Sequence, residues 1–186
     1  RDSIAEIIQA EMLRAITVDN TIKDRYNIIN YNRIMNIPFI LKGISLSGLK
    51  QAFLSYINME KVPAIVVAAG PSLDQNINII EKAKGKAFII AVDSAIRLLE
   101  ANGIEPDAFV TIDPIKPKVL FENQLAQKTP VFYCTHSSEE DLQLLHGMKI
   151  FCRTDEFILE EIKQNEEEIN AGGNVASTAY SIAEYL

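Results

Sequence analysis

Five short apolar runs constrain this chain more than anything else in it: Ala64–Ala69, Ala87–Val92, Ala108–Ile112, Val131–Cys134 and Lys149–Cys152. They are rich in Val, Ile and Phe and almost free of polar residues. A strand with one wet face would alternate, so these runs read as strands buried on both faces, the signature of a parallel sheet. Amphipathic helical stretches separate them, and strand–helix–strand repeated in this way is the doubly wound α/β pattern. The expectation is a Rossmann-like doubly wound parallel sheet of about five strands, the runs ordered 3-2-1-4-5 around a central switch point. Ser72-Leu-Asp-Gln75 spells a capping box opening the helix of Leu73, Ile77, Ile80 and Ala83. Asn102-Gly103-Ile104 followed by Pro106 spells a helix C-terminus.

Residues 1–60 lack a convincing strand and are expected to form a helical extension ahead of the nucleotide-binding domain, residues 61–186. A capping-box spelling, Ser3-Ile-Ala-Glu6, precedes Ile4, Ile7, Ile8 and Met12 at helical spacing. A second helix is expected after Asn20 with Ile22, Tyr26, Ile29 and Ile34 facing inward, ended by Asn36 and Pro38. A third runs from about Ser47 to Tyr56. Asparagines 27, 30, 32 and 36 read as solvated or capping residues. The last stretch, Asn174 to Leu186, is a helix with Val175, Ala179, Ile182, Ala183 and Leu186 on one face. It stops mid-pattern and the chain begins with Arg1, so the expectation is a C-terminally truncated fragment, inactive alone.

Charge and cysteine content narrow the partners. The 186 residues carry a formal charge of −7 without a Lys/Arg cluster, which argues against a nucleic-acid backbone as ligand. A small nucleotide stays open, because N–H groups at a helix start hold phosphate without a basic surface. Cys134 and Cys152 form no C-x-x-C pair and read as reduced core residues, which makes the cytoplasm the expected compartment. No stretch is long and apolar enough to be read as a membrane span. The Glu166–Glu168 run reads as a solvated helix face and, with Glu160 and Glu161, lacks metal-ligand spacing, so no protein-held metal is expected. Walker, G-x-S-x-G, H-E-x-x-H and G-x-G-x-x-G signatures are absent.

In an open parallel sheet the ligand lies beyond the carboxyl ends of the strands, and polar residues follow four of the runs directly. Gly70-Pro71-Ser72-Leu73 follows the first: Gly70 admits close approach to the backbone, and Ser72 either caps a helix or donates to an anion. Asp93-Ser94 follows the second, where a carboxylate accepts ribose hydroxyls or simply caps a helix. Asp113, before Pro114, is a candidate base, sugar ligand or Mg²⁺ ligand, or an exposed turn residue. His136 is a candidate general base near neutral pH, with an ordinary solvated histidine as the alternative. His146 reads as a helix-end residue. Gly172-Gly173-Asn174 is a second possible anion or sugar cradle, or a flexible loop closing on a cap.

The strings Pro63-Ala-Ile-Val-Val-Ala-Ala-Gly-Pro-Ser-Leu-Asp74, Ile90-Ala-Val-Asp-Ser-Ala95 and Gly103-Ile-Glu-Pro-Asp107 with Thr111-Ile-Asp-Pro114 resemble the motility accessory factor (Maf) family of flagellin glycosyltransferases. Gly172-Gly-Asn-Val-Ala176 is similar to that family's glycine-rich turn. The resemblance covers roughly residues 38–186. It implies a Rossmann-like domain akin to bacterial sialyltransferases, using a CMP-activated nonulosonic sugar as donor substrate and flagellin as acceptor, with no separate cofactor. It also implies that Gly70, Pro71 and Ser72 meet the nucleotide, that Asp93, Ser94 and Asp113 line the pocket, and that Gly172–Asn174 face the sugar. Ala69 stands where the sialyltransferases tend to carry Asn, a departure from the resemblance at a side chain that would meet the nucleotide. The same strings resemble archaeal 6-hydroxymethylpterin diphosphokinases, which would make ATP and Mg²⁺ the ligands and turn Asp93 and Asp113 towards the metal. A non-catalytic nucleotide-binding or assembly module is the third reading.

Overall fold

All five apolar runs form strands, and a sixth strand comes from a part of the chain expected to be wholly helical. The computed structural model describes residues 25–56, 61–118, 121–154 and 166–186. The chain is helical over 25–35 (α1). There follow α2 (Ile37–Lys42), β1 (Ile44–Ser45), α3 (Leu46–Tyr56), β2 (Ala64–Val67), α4 (Ser72–Ala83) and β3 (Phe88–Val92). Then come a 3-10 turn (Asp93–Ala95), α5 (Ile96–Ala101), β4 (Ala108–Thr111), α6 (Gln124–Lys128) and β5 (Val131–Tyr133). The remaining elements are α7 (Glu139–Leu144), β6 (Lys149–Phe151) and α8 (Val175–Tyr185). The expected helix around Ser3–Met12 lies outside the described residues.

The strands form one parallel six-stranded sheet, a Rossmann-like α/β arrangement, in the order β1-β6-β5-β4-β3-β2. This corrects the expected 3-2-1-4-5 order. The five long runs succeed one another in space as in sequence, and the reversal lies outside them, where β1 pairs with β6 through Ile44↔Ile150. Right-handed crossovers that step in one direction place α4 to α7 on one face of the sheet. The other face is covered by α8, which packs on β2, β3 and β4, and by α3, which packs on β1 and β6. Phe53 of α3 meets Phe88 of β3 edge-on, so α3 runs diagonally across the sheet. Tyr185 of α8 bonds Ser47 and lies under the Lys50 ammonium, joining the two covering helices. With both faces covered, β4 and β5 are buried along their whole length, which is why their sequences show no alternation.

Several local expectations change for identifiable reasons. α1 ends at Asn36 as expected, but Pro38 opens a new helix instead of closing the helical segment. Pro38 sits at the start of α2, where a missing N–H costs nothing, and the chain stays nearly helical through Asn36. The inward face of α1 is also different. Tyr26 and Ile34 are 58% and 60% exposed, whereas Asn32 and Asn36 are buried. Ile22 lies outside the described residues. The Ser72 capping box does not form: Pro71 is the N-cap of α4 and no side chain caps it, while Ser72 is the first helical residue. The Gly103 helix end forms as expected, with Gly103 at φ 68° and its N–H donating to Glu100 while the Ile104 N–H reaches Leu99. Glu166–Glu168 is not a helix face but an extended segment bridging to Arg153, and Glu160 and Glu161 are outside the described residues. Cys134 and Cys152 are buried and free, as expected.

Candidate functional site

The carboxyl ends of β2, β3, β4 and β5 lie side by side along one edge of the parallel sheet, so register alone brings their polar loops together. After β2, the Gly70 carbonyl accepts the Leu73 N–H at 2.9 Å and turns the chain into α4. Gly70 has no positive φ, and a Cβ there would meet only the Ser72 hydroxyl, 3.9 Å away. Neither backbone conformation nor packing within the protein requires glycine here. The space above it is open, and beneath it lies the start of a helix without a side-chain cap. Leu73 is buried and anchors the turn, whereas Ser72 is exposed.

After β3, Asp93 is 1% exposed, an unusual position for a carboxylate. Its Oδ1 accepts the Ser94 N–H at 2.7 Å and lies 3.3 Å from the Lys116 ammonium; its Oδ2 is buried and makes no well-formed hydrogen bond. Burial pushes the Asp93 carboxyl above the ordinary aspartate range, and Lys116, the Thr111 hydroxyl and the Ser94 N–H offset this only in part. The same ammonium contacts Asp113 Oδ2 at 2.5 Å. Burial works to lower the Lys116 pKa, but Asp113 and Asp93 together hold it above the usual lysine value. Two expected site residues are thus joined by a lysine the sequence reading passed over. The available signal was a lysine three residues after Asp113 in the same strand-end loop.

The loop after β5 folds tightly. The Ser137 hydroxyl donates to the Thr111 carbonyl at 2.8 Å and accepts the Cys134 N–H at 2.9 Å. The half-buried His136 ring lies 3.5–3.6 Å from the Cys134 sulfur. Burial opposes ionisation of that thiol, yet His136 and Ser137 bring its pKa below the ordinary cysteine value. His146 lies just past α7.

Asn32 and Asn36 hold these loops: neither is solvated, and Asn32 caps only across the fold, at the start of α7. Asn32 Nδ2 donates to the Pro114 and His136 carbonyls at 2.9 and 3.2 Å, and its Oδ1 accepts the Glu139 N–H at 3.3 Å. Asn36 Nδ2 donates to the Thr135 and Ser137 carbonyls at 2.9 and 2.8 Å. Their spacing of four places both amides on one helix face, which was the signal in the sequence.

The glycine-rich turn before α8 has Gly172 and Gly173 at φ 58° and 76°, and Asn174 caps the helix by accepting the Ser177 N–H at 2.9 Å. Among the described residues no hydrogen bond or ion pair joins this turn to the Asp93–Lys116–Asp113 cluster. No described helix is long and apolar enough to cross a membrane.

The fold and strand-end loops define a parallel α/β domain of the Rossmann-like class. Residues 31–186 match the family described as 6-hydroxymethylpterin diphosphokinase MptE-like, and the chain belongs to that MptE-like family. It is also similar in fold to the Maf glycosyltransferase from Magnetospirillum magneticum AMB-1, with a TM-score of 0.54 and 19% identity over 66% of this chain. The match spans 20% of that longer protein. No curated protein sequence matches the chain.

Proposed function

We propose that this chain is the nucleotide-binding part of a nucleotide-sugar-dependent glycosyltransferase, taking a CMP-activated nonulosonic sugar and passing it to an acceptor hydroxyl, that of flagellin. The observation that carries the reading is the open Gly70 turn over an uncapped helix start, next to a buried carboxylate. Helix N–H groups and the helix dipole favour phosphate there. Asp93 would accept sugar hydroxyls in place of Lys116, which now covers it, and exposed Ser94 adjoins it. In the transfer, the acceptor oxygen bonds to the anomeric carbon and the nucleotide leaves with the bonding pair. The proton passes to Asp113, with His136 on the adjacent loop as the other candidate base. The Maf fold likeness supports the reading. Gly172–Asn174 would face the sugar.

The family description favours a second reading, diphosphoryl transfer from ATP. Asp93 and Asp113 are the carboxylates that Mg²⁺ would meet, but they share Lys116. Among the described residues no three carboxylate, histidine or cysteine side chains converge to hold an ion. With the Lys116 ammonium between them, the two carboxylates would have to release it before they could hold Mg²⁺ beside the ATP phosphates.

Calorimetry and thermal melts with CMP, CTP, ATP plus Mg²⁺ and NAD separate the readings. Stabilisation by CMP without metal is the expected result. ATP plus Mg²⁺ alone would select the second reading, and no response would leave a non-catalytic module. Gly70→Val should abolish nucleotide binding, and Asp93→Ala should weaken it by about 1.5–3 kcal/mol, as for a hydrogen bond to a charged group. Because Ser72 makes no cap bond, Ser72→Ala should lower affinity without lowering stability. Equal binding by all three folded variants would place the nucleotide elsewhere.

A further inference from the structure

The stretch Asp113-Pro114-Ile115-Lys116-Pro117 is built to hold one ammonium in one place. A proline follows each of the two charged residues, which restricts both backbones to extended conformations. The loop is also tied at its start. The Asp113 carbonyl accepts the Ser138 N–H at 3.0 Å, and the Pro114 carbonyl accepts the Asn32 amide at 2.9 Å. From there the Lys116 ammonium reaches Asp113 of its own loop and Asp93 of the neighbouring one. We infer that Lys116 is a built-in substitute for a divalent cation. It holds the place between Asp93 and Asp113 that a metal would take, and it makes nucleotide binding at this site independent of metal. The second half rests on the nucleotide reading; the first does not.

Three observations carry it. The first is the donor set. Two carboxylates from two strand ends converge on one cation, and Mg²⁺ beside nucleotide phosphates ordinarily takes one or two carboxylates, with water and phosphate oxygens completing its shell. The pair alone would therefore suit a metal, and Lys116 decides against it. The second is burial. Asp93 is buried, and among the described residues Lys116 is its one ion-pair partner. A buried carboxylate needs its counter-charge before a ligand arrives as well as after, which a side chain supplies and an exchanging ion does not. The side chains of Lys116 and Asp113 are 16% and 38% exposed, so cations from solvent can reach this place and Lys116 holds it against them.

The third observation is the tether. A cation carried on the same loop competes with free metal intramolecularly, at an effective concentration of about millimolar even for a flexible link. Here the link is stiffened by two prolines and already spans the distance to both aspartates. Mg²⁺ must in addition shed water to enter, which it does reluctantly. An ammonium has three N–H donors. Asp93 and Asp113 take two, which leaves the third for a nucleotide phosphate, the contact a metal would otherwise make.

Mn²⁺, a paramagnetic stand-in for Mg²⁺, is the probe, titrated into the isotope-labelled whole chain without nucleotide. Wild type should show no saturable broadening of the Asp93, Ser94 and Asp113 amide signals. Lys116→Ala should take up Mn²⁺ at these residues roughly tenfold or more tightly than wild type, because the competing ammonium is gone. It should also gain thermal stability with Mg²⁺, which wild type should not. Adding Asp113→Asn to Lys116→Ala should abolish the response, and Lys116→Arg, which keeps the charge, should behave as wild type. Lys116→Gln, whose amide still donates to a carboxylate, replaces the alanine variant if that one does not fold. With CMP, wild-type affinity should be equal in EDTA and in Mg²⁺, whereas Lys116→Ala should bind more weakly in EDTA and recover with Mg²⁺. Mn²⁺ broadening of these signals in wild type, folded Lys116 variants that take up no Mn²⁺, or a wild-type nucleotide affinity that depends on Mg²⁺ would overturn the inference. If wild type binds no nucleotide, the nucleotide reading fails, while the Mn²⁺ titration still decides whether Lys116 holds the cation's place.

Discussion

Replacing Asn36 by Ala cuts one of the two ties between the lead-in helix and the loop that carries His136. The Asn36 side chain is completely buried and donates twice, to carbonyls about a hundred residues away in sequence. Each buried hydrogen bond contributes about 0.5–1.5 kcal/mol net, and orphaned carbonyls add to the loss. One term opposes this: Asn36 Oδ1 is itself buried without a partner, and deleting it relieves about 1 kcal/mol. The balance is a loss of about 2–3 kcal/mol. For a chain of this length each kcal/mol moves the melting temperature by roughly 2–4 °C. Urea unfolding of wild type and Asn36→Ala, with thermal melts alongside, measures it. Tyr26→Ala and Ile34→Ala on the same lead-in helix are the controls; both side chains are exposed, so each should stay within about 0.5 kcal/mol of wild type. If Asn36→Ala is as stable as wild type, or if Ile34→Ala costs as much, the amide does not hold the loop.

Asp141→Asn should stabilise the protein at neutral pH by about 1 kcal/mol, because it removes a buried charge that Ser138 and Lys118 offset only in part. Burial raises the Asp141 pKa, so wild type regains this stability below the ordinary aspartate value and loses it as pH rises through the raised one. The melting-temperature gap between variant and wild type should therefore vanish in acid and open towards neutrality; a gap independent of pH would contradict it. Gly172→Ala should cost more than Gly103→Ala. Both positions have positive φ, worth about 1–2 kcal/mol against alanine, but a Cβ at 172 would also lie 2.4 Å from Ser177 Cβ while one at 103 meets nothing. Equal losses in chemical denaturation would refute the difference.

The strands were legible because burial on both faces removes alternation, leaving runs such as Phe109-Val110 and Val131-Phe132 that fit no other element of that length. Their order was not legible. It depends on which helices cover which face, and α3 and α8 reach the sheet from opposite ends of the chain. β1 is two residues long, too short for any period to register. Asp93 could be singled out by its place directly after a strand. Lys116 could not be assigned to it, since the ion pair crosses from one strand-end loop to another. Asn32 and Asn36 misled for a simple physical reason: in an isolated sequence, a polar helix face looks the same whether it meets water or backbone carbonyls.

The pairing of Ile44 with Ile150 has a kinetic consequence. β1 leaves the ribosome before β2 to β6 yet has no neighbour in the sheet until β6 is made, and the Asn32 and Asn36 amides wait almost as long for their carbonyls. Contacts so distant in sequence demand that loop-closure entropy be met before any bonding return, which slows folding. The stretch from β2 to β5 can assemble progressively, each strand on the last, while β6 presents an unpaired edge until β1 closes it. That edge is the point at which a nascent or shortened chain is open to pairing with a strand from another molecule. A chain beginning after residue 60 would expose it permanently, so solubility should fall sharply when β1 is removed, even though the five long strands remain.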